Sequence, residues 1–260
     1  IGDVAGRGLF DVFVTHLAQE THTLWQQGPR GLFTDKTNQA GLLKSHWRGT
    51  GFGTLFGDFT NAGRLDLAIV DGAVAAHAQP GDAALGPFWS KYGQRNQLFA
   101  GDGRGNFRDV SLDNAPFCGQ DNVARGLAQG DFDGDGGLDL LVTTIGGKAR
   151  LFRNVAKDRG HWLTVRAYDP ALKRDALGSS VQVHAGDRRW MRWLHPAESY
   201  LSSSEPRAHF GLGDAAVVDR IEITWPDGDR EAFPGGPADR RIELRKGDGT
   251  RLKPGADPLP

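Results

Sequence analysis

The stretch GDFDGDGGLDLLV, Gly130 to Val142, constrains the fold more than any other, because it crowds four aspartates against an apolar run. Asp131, Asp133, Asp135 and Asp139 fall within nine residues. Carboxylates about 4 Å apart repel by roughly 1 kcal/mol even in water, and by more where the dielectric is lower. A tight loop with four of them needs a counter-charge, and the spacing D-x-D-x-D-G-x-x-D directs all four to one centre. A hard divalent cation that takes six to eight oxygens supplies that charge, and Ca2+ suits mixed carboxylate and carbonyl ligands. The expected site is Asp131, Asp133, Asp135, the Gly137 carbonyl and Asp139, with Gly136 permitting the sharp turn. An EF-hand opens the same way but requires a bidentate Glu at loop position twelve. Here that position is Val142, followed by TTIGG in place of a helix, so a buried strand is expected instead.

The loop belongs to a repeat. GDVAGRGLFDVFV from Gly2, GDFTNAGRLDLAIV from Gly57 and GDFDGDGGLDLLV from Gly130 share one frame, with Asp at loop positions one and nine. Asp3, Asp58 and Asp131 are 55 and then 73 residues apart. The second unit therefore carries an insertion of about 18 residues, placed in Ala73 to Asn96. A second element, LWQQGPRGLFTDKT from Leu24 and LFAGDGRGNFRDVS from Leu98, aligns without gaps and pairs Phe33 with Phe107. A third copy begins at LFRN, Leu151 to Asn154, and stops. Short strands broken by turns at this period suggest propeller blades. Around Asp58 only Thr60 and Asp66 remain as further donors, which makes a weak second metal site at Asp58, Thr60 and Asp66. Around Asp3 an arginine, Arg7, stands at position five, so an internal ion pair to Asp3 or Asp11 is expected there in place of calcium.

The Asp-Gly loops and the LF-G-G-F element resemble FG-GAP/VCBS repeats, the calcium-loop blades of integrin-like propellers, over about residues 1 to 154. From Arg159 the texture changes to alternating strands, with Ile221, Ile223 and Trp225 on one face. RNVAKDRGHWLTV, ALGSSVQVHAGD and SYLSSSEPRAHFGLGDAAVVDRIEITWPDG resemble the ASPIC/UnbV domain that follows such repeats in the cartilage acidic protein-like family. The expected fold is all-β: about three FG-GAP-like propeller blades in residues 1–154 and a β-sandwich-like ASPIC/UnbV-type domain in 155–260. Three blades cannot close a ring, so either N-terminal blades are absent from this sequence or a protein partner completes or covers the open propeller. The resemblance further implies an extracytoplasmic protein, secreted or periplasmic, without established catalytic chemistry in the ASPIC/UnbV-like part.

Composition narrows the function classes. Lys+Arg 31 against Asp+Glu 32 leaves a net charge of -1, without the basic excess that nucleic acid or an anionic membrane demands. No apolar run reaches the ~20 residues of a membrane span. The single cysteine, Cys118, excludes an internal disulfide framework and reads as a small buried hydrophobe. The first residue is Ile1 rather than Met, which reads as a processed form or part of a longer protein. The eight histidines form no HExxH pattern, the serines of YLSSSEP lack a G-x-S-x-G elbow, and GDGRGN lacks the Lys-Ser/Thr ending of a phosphate loop. Among the tryptophans, Trp25 and Trp225 are expected in the core. Trp89 in WSKY and Trp190 and Trp193 in RRWMRWLH combine aromatics with basic residues; exposed, they would form a sugar-stacking or protein-contact surface, the alternative being core or local packing. The expectation is a non-catalytic, calcium-stabilised interaction or adhesion module, including an extrinsic subunit of a larger assembly, with the insertion as contact. The alternative is an enzyme or enzyme fragment acting on glycans or in secondary-metabolite biosynthesis.

Overall fold

The computed structural model describes residues 1–77 and 82–253, with 44% of the chain in strands and 8% in helix, as an all-β chain requires. Strands β1 (Val12–Val14), β2 (Thr23–Gln27) and β3 (Phe33–Asp35) form a first antiparallel sheet. The second contains β4 (Gly51–Gly57), β5 (Asp66–Asp71), then, past the short β6 (Gln94–Arg95), β7 (Gln97–Gly101) and β8 (Phe107–Asp109). After β9 (Asp121–Asn122), which pairs with β6, the third is built from β10 (Ala124–Gly130), β11 (Asp139–Thr144) and β12 (Arg150–Phe152). All three loops close in one register: Gly2 opposes Asp11, Gly57 opposes Asp66 and Gly130 opposes Asp139. The aspartate at position one leaves a strand and that at position nine opens the next.

Alternation along each strand stacks the sheets. Leu67 and Ile69 of β5 pack with Phe13 and Leu24 of the first blade, whereas Ala68 and Val70 pack with Leu140 and Val142 of the third. Every residue of β5 is therefore buried, and at about 25 cal/mol per Å2 of apolar area Leu67, Ile69 and Val70 each contribute roughly 1.5–3 kcal/mol. Among the described residues no closed ring forms and no sheet covers the other face of the first blade, which reverses the expectation for Trp25. It lies opposite Val12 in the sheet and remains 38% exposed, because core packing there would need another sheet to cover it. The insertion folds back on itself through Ala73 N to Tyr92 O (2.9 Å) and His77 N to Lys91 O (2.8 Å), and carries the one-turn helix α1 (Gly86–Trp89). Its residues 78–81 lie outside the described residues. Cys118 is buried at the end of a second single turn, α2 (Ala115–Cys118).

From His161 onward two sheets enclose one core. The first joins β13 (His161–Asp169), β14 (Arg174–Asp175), and two later strands; the second begins with β15 (Ser180–Ala185) and β16 (Arg188–Trp193). Next come β17 (Ala208–Gly213), β18 (Val217–Thr224), β19 (Arg230–Pro237), β20 (Arg240–Arg245) and β21 (Thr250–Arg251). β17 and β20 flank β13, the latter in parallel, while the second sheet runs β16-β15-β18-β19-β21. Leu163, Val165 and Phe210 from one sheet meet Val181, Ile221, Ile223 and Phe233 from the other. Ile221, Ile223 and Trp225 share the buried face that their spacing predicts.

This unit sits on the Asp-Gly loop ends of the blades. Gly160 N donates to Thr60 O (3.0 Å), Gly213 N to Asn61 O (2.8 Å) and Trp190 Nε1 to Gly63 O (2.9 Å). Gly211 in β17 is required by this approach, since a Cβ there would overlap the Asp58 carboxylate and the Asn61 backbone.

Candidate metal centre

The third loop brings three of its aspartates together. One carboxylate oxygen each from Asp131, Asp133 and Asp139 lies within 4.8 Å of the others, with Asp131 and Asp139 buried and Asp133 exposed. Backbone N–H groups fix the two buried ones. Asp131 accepts from Gly134 N (2.8 Å) and Gly136 N (2.9 Å), and Asp139 from Phe132 N (3.0 Å) and Asn154 N (2.7 Å). Gly136 adopts a left-handed φ of 83° and lies so close to Trp162 that a side chain there would strike the indole. The two requirements explain why glycine stands at this loop position.

Asp135 departs from the expected ligand set. Its carboxylate turns to Arg159 Nη2 (2.8 Å), whose hydrogen bond holds it below the usual carboxylate range. Gly137 enters the same network through its N–H, which donates to Asp135 Oδ1 at 2.8 Å. The counter-charge expected from a cation is partly internal. Arg153 Nε donates to Asp133 Oδ2, and Arg241 Nη2 reaches both the carbonyl and Oδ2 of Asp131 at 2.8 Å. Those three arginines come from the end of the third blade, from the linker and from β20, so part of the loop's charge is balanced by distant sequence. The donor set nevertheless fits a hard cation: three carboxylate oxygens converge, each has further lone-pair capacity, and Asp133 faces solvent.

The other loops spend their carboxylates on the chain itself. In the second, Asp58 accepts from the N–H of Ala62 (2.9 Å), Gly63 (2.7 Å) and Arg64 (3.1 Å), and Asp66 from Phe59 N (3.2 Å) and Gly101 N (3.0 Å). Burial raises both, Asp66 to about 7. Thr60 is exposed and meets the C-terminal unit through its carbonyl. In the first loop Arg7 pairs with Asp11 at 2.7 Å, the ion pair its position leads one to expect, and Asp3 takes the N–H groups of Arg7 and Gly8 at 2.8 Å.

The aromatic candidates divide. Trp190 is 8% exposed and packed in the C-terminal core. Trp193 is 38% exposed but stacked on His195, with ring centroids 4.5 Å apart, and the tilted Phe10 ring lies 5.9 Å away. On the insertion, Phe88, Trp89 and Tyr92 form a cluster with centroids 4.8 to 5.9 Å apart, and Phe88 is 62% exposed. What sequence reasoning missed is the link between loops. Asn61 Nδ2 donates to Gly136 O at 2.9 Å while its Oδ1 meets His209 Nε2 at 2.9 Å, tying loop two, loop three and β17 together. The one available signal was the asparagine at a loop position that in the third repeat is occupied by Gly134.

Residues 169–251 match the ASPIC and UnbV family, from the end of β13 to β21. The chain is 32% identical over 114 residues to cartilage acidic protein 1 of Xenopus tropicalis, a match covering 42% of this chain and 17% of that protein. It is 35% identical over 103 residues to the Homo sapiens protein of the same name, covering 38% and 15%. The matched stretch is thus a small part of these relatives.

Proposed function

We propose that the chain is a non-catalytic, calcium-stabilised interaction module of an extracytoplasmic assembly, secreted or periplasmic. One repeat position carries the reading. Ile69 and Val142 are wholly buried by the preceding blade, whereas Val14, at the same place in the first blade, is 38% exposed. Alternation puts Val12, Trp25 and Phe33 on that same face. Leu32, beside them, is 69% exposed. A face that leaves Val14, Trp25 and Phe33 exposed among Thr23, Gln27 and Asp35 supports a contact surface, and the aromatic cluster of the insertion, with Phe88 exposed, supports a second. Ca2+ held by Asp131, Asp133 and Asp139 stiffens the third loop, on which the C-terminal unit rests; affinities in the submillimolar to millimolar range are typical of extracellular modules. The similarity to proteins named for cartilage supports the same location.

A second reading, an enzyme or enzyme fragment acting on glycans or in secondary-metabolite biosynthesis, draws on a cavity of mixed polar and apolar lining between the blades and the C-terminal unit. Its Ser204 hydroxyl accepts from Gln129 N, and among the described residues no serine is hydrogen-bonded to a histidine. Ligand binding without nucleophilic catalysis suits it better. The test of the first reading is native purification with cross-linking, comparing the wild-type chain with a Trp25→Ser/Phe33→Ser variant. Cross-links to a partner at the first blade that vanish in the variant are expected. A chain that purifies alone, or cross-links unchanged by the substitutions, would overturn it.

A further inference from the structure

A cleft of about 290 Å3 opens where the first two Asp-Gly loops and the Gly103 turn of the second blade face β16. The charged residues that line it are Asp3, Arg64, Arg188, Arg189 and Arg192. Glycines let two of these arginines lie close to the backbone. A Cβ on Gly103, which has a left-handed φ of 74°, would lie 3.4 Å from Arg64 Cβ, and one on Gly8, at φ 76°, would lie 3.1 Å from Arg189 Nη2.

These charges do not cancel. Asp3 is committed to its own loop, its two oxygens accepting from Arg7 N and Gly8 N at 2.8 Å. Arg192 donates to His209 O (3.2 Å) and Met191 O (3.0 Å) and has Asp58, Asp3 and Glu198 as counter-charges. Arg188 pairs with Asp214, an exposed partner whose attraction solvent screens. Arg64 and Arg189 are exposed, and among the described residues neither forms an ion pair or donates a hydrogen bond from its guanidinium. The neighbouring acids are occupied or face elsewhere. Asp66, whose charge Arg64 favours, accepts from Phe59 N and Gly101 N, and Asp102, beside Gly103, accepts from Arg104 N, Asn106 N and Asn106 Nδ2. Asp187 and Asp214 line a separate hollow.

Two positive charges are thus left without a partner in one cleft of a chain whose net charge is -1. A cleft lined by one sign of charge focuses the field and concentrates counter-ions of the other sign. Each guanidinium presents parallel N–H groups that match the oxygens of an oxyanion, and this fork holds its charge at every accessible pH. A singly charged carboxylate would answer one arginine and leave the other. We propose that this cleft binds a doubly charged tetrahedral oxyanion, the chemistry shared by inorganic sulfate and a phosphate group, with Arg64 of the second loop and Arg189 of β16 as its donors. The site depends neither on the calcium loop nor on the apolar face of the first blade, so its failure leaves the proposed function standing.

The experiment is calorimetric titration of the full chain, free of calcium and at constant ionic strength, with inorganic phosphate, sulfate and, as the singly charged comparison, acetate. Saturable binding of phosphate, sulfate or both is expected, and the tighter of the two identifies the group that the cleft takes. Arg64→Gln and Arg189→Gln remove exposed side chains outside the core, so both variants should fold. Each should weaken binding about three- to tenfold, the range of one partly screened charge-assisted contact, and the double variant should abolish it. Lys148→Gln removes one positive charge from the turn between β11 and β12 and should leave the affinity unchanged. No saturable binding of either dianion, acetate binding as tightly as both, or wild-type affinity in the double variant would overturn the inference. An equal loss in Lys148→Gln would do the same, because it would reduce the effect to net charge.

Discussion

Replacing Arg241 by methionine separates the two ways in which the third loop can be neutralised. Met keeps much of the apolar stem and removes the guanidinium that lies 2.8 Å from both the carbonyl and Oδ2 of Asp131. Asp131 has a side chain only 2% exposed, so without calcium the variant leaves a buried carboxylate with two backbone donors and no cation. A charge-assisted hydrogen bond contributes about 1.5–3 kcal/mol. Arg241 is 36% exposed, and solvent screening reduces the expected loss to about 1 kcal/mol. With calcium the sign reverses. A guanidinium about 5 Å from a divalent ion in a water-like dielectric costs the complex roughly 1.7 kcal/mol, so its removal should tighten calcium binding about tenfold. Urea denaturation in chelator measures the first effect and calorimetric titration the second. Calcium affinity that stays the same or falls in Arg241→Met would refute the competition between arginine and cation.

Burial pushes Asp71 up to about 8 from 3.8, and neither of its oxygens has a hydrogen-bond partner. Between those pH values the folded chain keeps a proton that the unfolded chain has lost, so stability falls as pH rises. Asp71→Asn should abolish this slope and gain a few kcal/mol at pH 8 relative to pH 5; equal denaturation midpoints for variant and wild type at both pH values would contradict it. Gly211→Ala should force β17 away from Asp58 and Asn61, at a cost of about 1–3 kcal/mol. Scanning calorimetry should then resolve separate blade and C-terminal transitions, and a single unshifted transition would count against docking of β17 on the second loop.

The loop frame was legible because its chemistry is local. Asp3, Asp58 and Asp131, with Asp11, Asp66 and Asp139, mark strand ends by spacing alone, and the alternation of Ile221, Ile223 and Trp225 reveals a buried face without any tertiary information. The counter-charges were not legible. Arg159 lies 24 residues from Asp135 and Arg241 110 from Asp131, and no local rule connects them. Arginines supply part of the charge that the spacing of four carboxylates assigns to a cation. Trp25 departs from its expected burial for a related reason: its repeat position is a core position only when another sheet covers it. The joint between the units rests on Asn61, His209 and Gly211, whose roles arise where two regions far apart in sequence meet.

Calorimetric titration of calcium into the chelator-treated chain, run beside single variants of the loop aspartates, decides whether the third loop holds a cation. One equivalent should bind to the wild type and to Asp135→Asn, whose side chain faces Arg159, while Asp133→Asn and Asp139→Asn should lose it. No binding by the wild-type chain, or loss in Asp135→Asn with retention in Asp139→Asn, would contradict the account.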